Sequence, residues 1–214
     1  MKDETHVLGS RILSWGAYMA AAFAVCSFGQ KAQAADSSLL WDGLHPTEWG
    51  SQIIAMAFND EIGGSSNSSS NNQDMVVCLG DSITAGYGST GYPAYLESMS
   101  GKSCVNAGIG GSATGSGYSR VRSLLFAYRP AYLCVLYGAN DINQGKSASY
   151  TIENLRAICN YAADMQTCPI LATLTPMTGK YQKNNAAVSS LNAKIRDLAN
   201  ACSYRLVDLE KEFE

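Results

Sequence analysis

The residues of this chain best suited to chemistry are a serine, two histidines and an asparagine, set among glycine-rich turns. Ser82 closes the stretch Met75-Val76-Val77-Cys78-Leu79-Gly80-Asp81-Ser82, an apolar run that stops in a turn. Val76, Val77, Cys78 and Leu79 show no polar alternation, which fits a strand of a parallel sheet covered on both faces, and Gly80 gives the backbone freedom to turn. In open α/β sheets ligands bind beyond the carboxyl ends of the strands, so a hydroxyl held there is placed to act as a nucleophile. The same residues read equally well as a helix N-cap, since short motifs match by chance. A serine nucleophile needs a base, imidazole is the usual one at neutral pH, and His6 and His45 are the two histidines of the chain. Attack on a carbonyl builds negative charge on oxygen, and each donor preorganised around that oxygen is worth roughly 10²–10³ in rate. Two further turns offer donors: Asn106-Ala107-Gly108-Ile109-Gly110-Gly111 and Gly138-Ala139-Asn140-Asp141. The backbone N–H groups of Ser82 and Gly111 with the side-chain amide of Asn140 would make a three-donor oxyanion hole. The glycine-rich turn could instead hold a nucleotide, and Asn140 could brace its loop, but the spacing matches neither a dinucleotide fingerprint nor a P-loop.

Such turns need elements that bring them to one edge. From residue 75 onward strand and helix alternate: strands over 75–79, 103–107, 131–137, 169–174 and 204–208, helices near 91–100, 118–128, 151–166 and 185–201. In the last helix Val188, Leu191, Ile195 and Leu198 recur at three and four residues as a core-facing stripe. This alternation predicts a parallel sheet with helices on both faces, and no helix after the fifth strand. Upstream, 36–45 is a polar and aromatic loop, and Pro46, Thr47 and Glu48 open a helix to about residue 62 with Ile53, Ile54, Ala57 and Phe58 as its inner stripe. Residues 63–74 contain no apolar residue, so they read as a flexible linker that cannot be buried. Residues 1–34 read as a leader: an apolar run over 12–28 precedes Ala32-Gln33-Ala34, a small-x-small cleavage signature. An uncleaved membrane anchor is the second expectation, because the run is nearly long enough to span a bilayer, and a buried core helix is the third.

With 214 residues, 46% hydrophobic and 15% charged, the chain has room for one α/β domain, placed at 35–214. A net charge of -3 leaves no basic footprint for nucleic acid. CxxC and HxxxH pairs are missing, so no metal site is expected. Cys78, Cys104 and Cys134 fall in strands and are expected to pack as small apolar residues. Cys168 and Cys202 each precede a strand and are expected to meet at the amino edge of the sheet, as a disulfide if the protein is exported.

Taken together, these blocks resemble the SGNH or GDSL hydrolases, in which serine, glycine, asparagine and histidine come from four separate stretches. Gly80-Asp81-Ser82-Ile83-Thr84 looks like the first, Asn106 to Gly111 the second and Gly138-Ala139-Asn140-Asp141 the third. Asp42-Gly43-Leu44-His45-Pro46 is similar to the fourth, where an aspartate three residues before the histidine completes a Ser-His-Asp triad. The resemblance implies a flavodoxin-like three-layer α/β/α sandwich with a five-stranded parallel sheet, and no cofactor. It implies Ser82 as nucleophile, His45 as the base that later protonates the leaving alcohol, and Asp42 as the group that orients His45. The implied activity is that of a serine esterase on O-acyl esters of small molecules or carbohydrates, with short-chain and O-acetyl esters foremost. A thioesterase or lysophospholipase, and a catalytically weak glycan-binding module, are the alternatives. Tyr87, Tyr92, Tyr118 and Tyr181 could stack on sugar rings in either case.

In the family the Asp-His block follows the last strand, whereas here it precedes the nucleophile. The chain therefore reads as a circular permutant, with 35–62 as the displaced loop and last helix, 63–74 as tether and 75–214 as body, a rearrangement that surface termini permit. A fragment of a tandem array is the competing account. The tether's twelve residues reach at most roughly 40 Å, so an active monomer is expected, with a domain-swapped dimer as the other geometry. The expected location is secreted or periplasmic, or membrane-anchored if the leader stays.

Overall fold

The strand that ends at the serine is an interior strand of the sheet, with a neighbour on each side. β1 (Asn72–Gly80) buries its last five residues and pairs in parallel with β2 (Ser103–Gly108) on one side and β3 (Pro130–Leu136) on the other. The structure, a computed structural model, describes residues 39–63 and 69–213, which belong to one compact unit, Ser38–Glu214. β4 (Cys168–Ala172) and β5 (Arg205–Val207) continue the sheet, giving the order β2-β1-β3-β4-β5 with every pairing parallel. Val76 to Leu79 and all of β3 are buried, as expected of strands covered on both faces.

Helices cover each face. α1 (Glu48–Gly63) packs on α3 (Tyr92–Ser100) and reaches β5, with the Phe58 ring stacked 5.1 Å from that of Tyr92. α4 (Thr114–Tyr128), α6 (Ala148–Asp164) and α7 (Asn185–Cys202) pack side by side. Two short helices follow strands directly, α2 (Ser82–Ala85) after β1 and α5 (Ala139–Asn143) after β3. With its helical layers on either side of the parallel sheet, the protein is a three-layer α/β/α sandwich.

Several expectations need correction. A short helix, α8 (Leu209–Glu212), does follow β5. The buried face of α1 is carried by Gly50, Ser51, Ile54, Ala55, Phe58 and Ile62, while Ile53 and Ala57 are half-buried. α4 begins four residues before the expected start, because the carboxylate of Asp141 accepts from the N–H (3.0 Å) and the hydroxyl (2.5 Å) of Thr114 and so caps the helix from another element. The polar stretch 63–74 is partly structured: Asn72 to Asp74 open β1, and Asn71 is buried with its amide donating to Pro130 O, Met165 O and Thr167 Oγ1 at 3.2, 2.8 and 3.1 Å. A polar residue can be buried when its hydrogen bonds are made, which the absence of apolar residues does not preclude. Residues 64–68 of that stretch, and the leader or anchor at 1–34, lie outside the described residues. Cys168 and Cys202 are both free thiols. Cys202 ends α7, where the Arg156 guanidinium of α6 donates to its sulfur at 3.2 Å.

Candidate active site

Ser82 is the first residue of α2, placed by a sharp strand-to-helix turn. Gly80 is required there by close approach: a Cβ would fall 1.9 Å from Thr84 Oγ1 and 2.7 Å from Leu136 O. The cap of α2 is Asp81, whose Oδ1 accepts from Ile83 N at 2.9 Å, so the serine hydroxyl is not used as the N-cap. It bonds instead to His45, with 2.9 Å between Oγ and Nε2.

His45 arrives on the loop before α1. That loop winds around the Asp42 carboxylate, whose Oδ1 accepts from the N–H groups of Leu44 (2.9 Å) and His45 (2.8 Å), while Oδ2 lies 2.8 Å from His45 Nδ1. The loop is tied down by Trp41 N donating to His45 O at 3.0 Å and by Thr178 N donating to Gly43 O at 2.8 Å. Burial would raise the Asp42 carboxyl, but the backbone N–H and ring of His45 and the N–H of Leu44 outweigh it and hold the group below its ordinary value. A carboxylate, an imidazole and a hydroxyl thus form one continuous line across two elements.

The expected oxyanion donors sit on the neighbouring strand ends. Gly111 lies in the turn after β2, which is pinned to β1 by Ile109 N donating to Gly80 O at 3.1 Å. Ser82 N is at the first position of α2 and has no helical carbonyl to receive it. Asn140 is the second residue of α5, and its amide nitrogen donates to Ser112 O at 3.0 Å and to Asp81 Oδ2 at 3.3 Å. Asp81 and Asp141 are both fully buried beneath the site. Burial, with the charge of Asp141 adding to it, pushes the Asp81 carboxyl up to about 7 against the N–H bond from Ile83.

Of the four tyrosines proposed as stacking groups, only Tyr87 borders the imidazole, with 4.8 Å between centroids. Tyr92 is fully buried against Phe58, and Tyr118 packs on Tyr161 at 6.1 Å. Tyr181 is half-buried, with Lys180 Nζ 5.0 Å from its ring centre. Trp41 was not singled out in the sequence, yet its ring lies 6.2 Å from His45 and 6.1 Å from Tyr87. Its position next to Asp42 was the available signal. Among the described residues no three His, Cys, Asp or Glu side chains converge as a metal-holding group.

The model of the GDSL-like lipase/acylhydrolase family matches residues 78–214. The chain belongs to that family. No curated protein matches it significantly. Among solved structures it is similar to a GDSL-like lipase from Bacteroides thetaiotaomicron, with a TM-score of 0.56 at 21% identity over 73% of this chain and 78% of that one. It is also similar to the lipase/acylhydrolase from Enterococcus faecalis, with a TM-score of 0.55 at 22% identity over 64% and 76% of the two chains. These two likenesses concern the fold. AlinE4, an SGNH-hydrolase family esterase, is 26% identical over 65% of this chain and 77% of its own, with a TM-score of 0.52. This GDSL-like protein is therefore a serine hydrolase of ester bonds on the SGNH α/β fold. Its Asp42 and His45 lie before the matched residues.

Proposed function

We propose that this GDSL-like hydrolase is a serine esterase for short-chain O-acyl esters, with Ser82, His45 and Asp42 as its triad. The observation that carries the proposal is the unbroken line from Asp42 Oδ2 to His45 Nδ1 at 2.8 Å and from His45 Nε2 to Ser82 Oγ at 2.9 Å. Asp42 fixes the tautomer in which Nδ1 carries the proton, leaving Nε2 as acceptor for the serine hydroxyl. Ser82 Oγ attacks the ester carbonyl as its proton passes to Nε2. The resulting oxyanion is received by the N–H groups of Ser82 and Gly111 and the Asn140 amide. The imidazolium, facing the Asp42 carboxylate, then protonates the leaving alcohol, and water repeats the cycle on the acyl-enzyme.

The preference for short acyl groups is supported by the turns 86–91 and 109–113, which pass directly into helices α3 and α4 and add no segment that would cover a long chain. The leader-like run supports export. Circular permutation is supported by the family match lying wholly after Asp42 and His45, while α1, which follows them, packs on α3 and β5.

Hydrolysis of p-nitrophenyl esters from acetate to palmitate by the purified protein tests this reading. Acetate or butyrate should be turned over best, with activity lost in Ser82→Ala. A preference for palmitate, or activity that survives Ser82→Ala, would refute it.

A further inference from the structure

We propose that Trp41 and Tyr87 form a stacking platform for the alcohol half of the ester, and that this half is a pyranose ring; the proposal rests on the esterase reading of Ser82 and His45. When the acyl group moves to Ser82, His45 Nε2 must pass its proton to the departing oxygen. That oxygen comes within hydrogen-bond reach of Nε2, so the carbon skeleton attached to it borders the imidazole. What already borders the imidazole is aromatic, with Tyr87 4.8 Å away and Trp41 6.2 Å away, and these two rings stack on each other at 6.1 Å.

Trp41 is held in place rather than loosely exposed. Its indole N–H donates to Tyr87 O at 3.4 Å and its backbone N–H to His45 O at 3.0 Å. Its ring lies directly on Gly88, where a Cβ would come within 2.5 Å of the indole, and the φ of +79° at Gly88 is itself a glycine conformation. Despite these restraints Trp41 remains 48% exposed and Tyr87 60% exposed. Isolated exposed apolar residues need no explanation, but a joined pair at the proton donor, with its indole tied down, is a different arrangement. Rings ordered in advance lose little entropy when a ligand covers them.

The openness of the platform selects its occupant. An aryl group or a long alkyl chain gains most from an enclosed apolar pocket. A pyranose has one face of C–H groups that can cover an indole while its hydroxyls stay in water, which suits rings with half their surface wet.

The test compares kcat/KM of the full chain for an O-acetylated methyl xylopyranoside, for n-butyl acetate and for phenyl acetate. The wild type should favour the sugar ester over butyl acetate. Trp41→Ala should lower the ratio of sugar-ester to butyl-acetate kcat/KM by about tenfold, mainly through KM, and Trp41→Phe should restore most of it. Tyr87→Leu provides a second variant with the same expected direction should Trp41→Ala fold poorly. An equal loss on all three esters would make Trp41 a support for His45 only and would overturn the platform. A selective loss on phenyl acetate would overturn the pyranose assignment, as would a wild type indifferent to the sugar. Failure of the wild type to hydrolyse any of the three would remove the esterase reading itself, and the platform with it.

Discussion

Ser82 and His45 meet through a single 2.9 Å contact, so neither is expected to act without the other. Ser82→Ala and His45→Ala should each lower kcat by roughly 10⁴–10⁶, Asp42→Ala by roughly 10²–10⁴, and the double variant Ser82→Ala/His45→Ala no further than its parents. Steady-state rates that fell multiplicatively in the double variant would show that the two side chains do not form one unit. Asp81 offers a test in stability. Burial lifts its carboxyl from 3.8 to about 7, so between those values the folded protein binds a proton that the unfolded chain does not. The stability contributed by the neutral acid is therefore full below about pH 4 and is lost as pH rises through about 7. Asp208 runs the other way. Burial, which alone would raise it, is outweighed by Arg196 and Lys211, which hold it at about 2, so its contribution disappears only as pH falls through the acid range. Melting temperatures measured from pH 5 to 8 should fall in the wild type and stay flatter in Asp81→Asn, which can still accept the Ile83 N–H. Parallel profiles would contradict the buried-acid assignment.

At the scale of elements, α1 places the Asp42–His45 loop over the sheet, and Phe58 is its main anchor, fully buried and stacked on Tyr92. Phe58→Ala should cost about 3–5 kcal/mol in urea unfolding, with esterase activity falling alongside as the loop loses its support. A loss under about 1 kcal/mol would mean that α1 is not docked as described. β1, β3 and β4 were legible in the sequence because buried parallel strands are continuous apolar runs, the edge strands β2 and β5 only from their place in the strand-helix alternation, and the Ser82, Gly111 and Asn140 turns as the segments that follow strands. α2 and α5 were not, since four and five residues are too short to show a helical period. The true start of α4 depends on Asp141, which lies 27 residues from Thr114 in sequence. Trp41 was hidden for the same reason, as its indole partner Tyr87 is 46 residues away. The burial of Asn71 was not legible either, because the three acceptors that satisfy its amide, on Pro130, Met165 and Thr167, lie far from it in sequence.

For the whole molecule, His45 and Ser82 belong to one chain, and we propose that they meet within it in solution. A short tether raises their effective concentration to roughly millimolar, above the micromolar concentrations at which exchange between chains would compete. Ser82→Ala and His45→Ala proteins unfolded, mixed and refolded together should therefore stay inactive. Recovery of a substantial share of activity would mean that sites assemble between chains. The central claim, that His45 activates Ser82 as the nucleophile, is tested most directly by intact mass of the full chain after exposure to diisopropyl fluorophosphate, followed by peptide mapping. A single adduct on Ser82, formed quickly in the wild type and far more slowly in His45→Ala, is the expected result. No adduct, an adduct on another residue, or labelling of Ser82 at the same rate without His45 would contradict it.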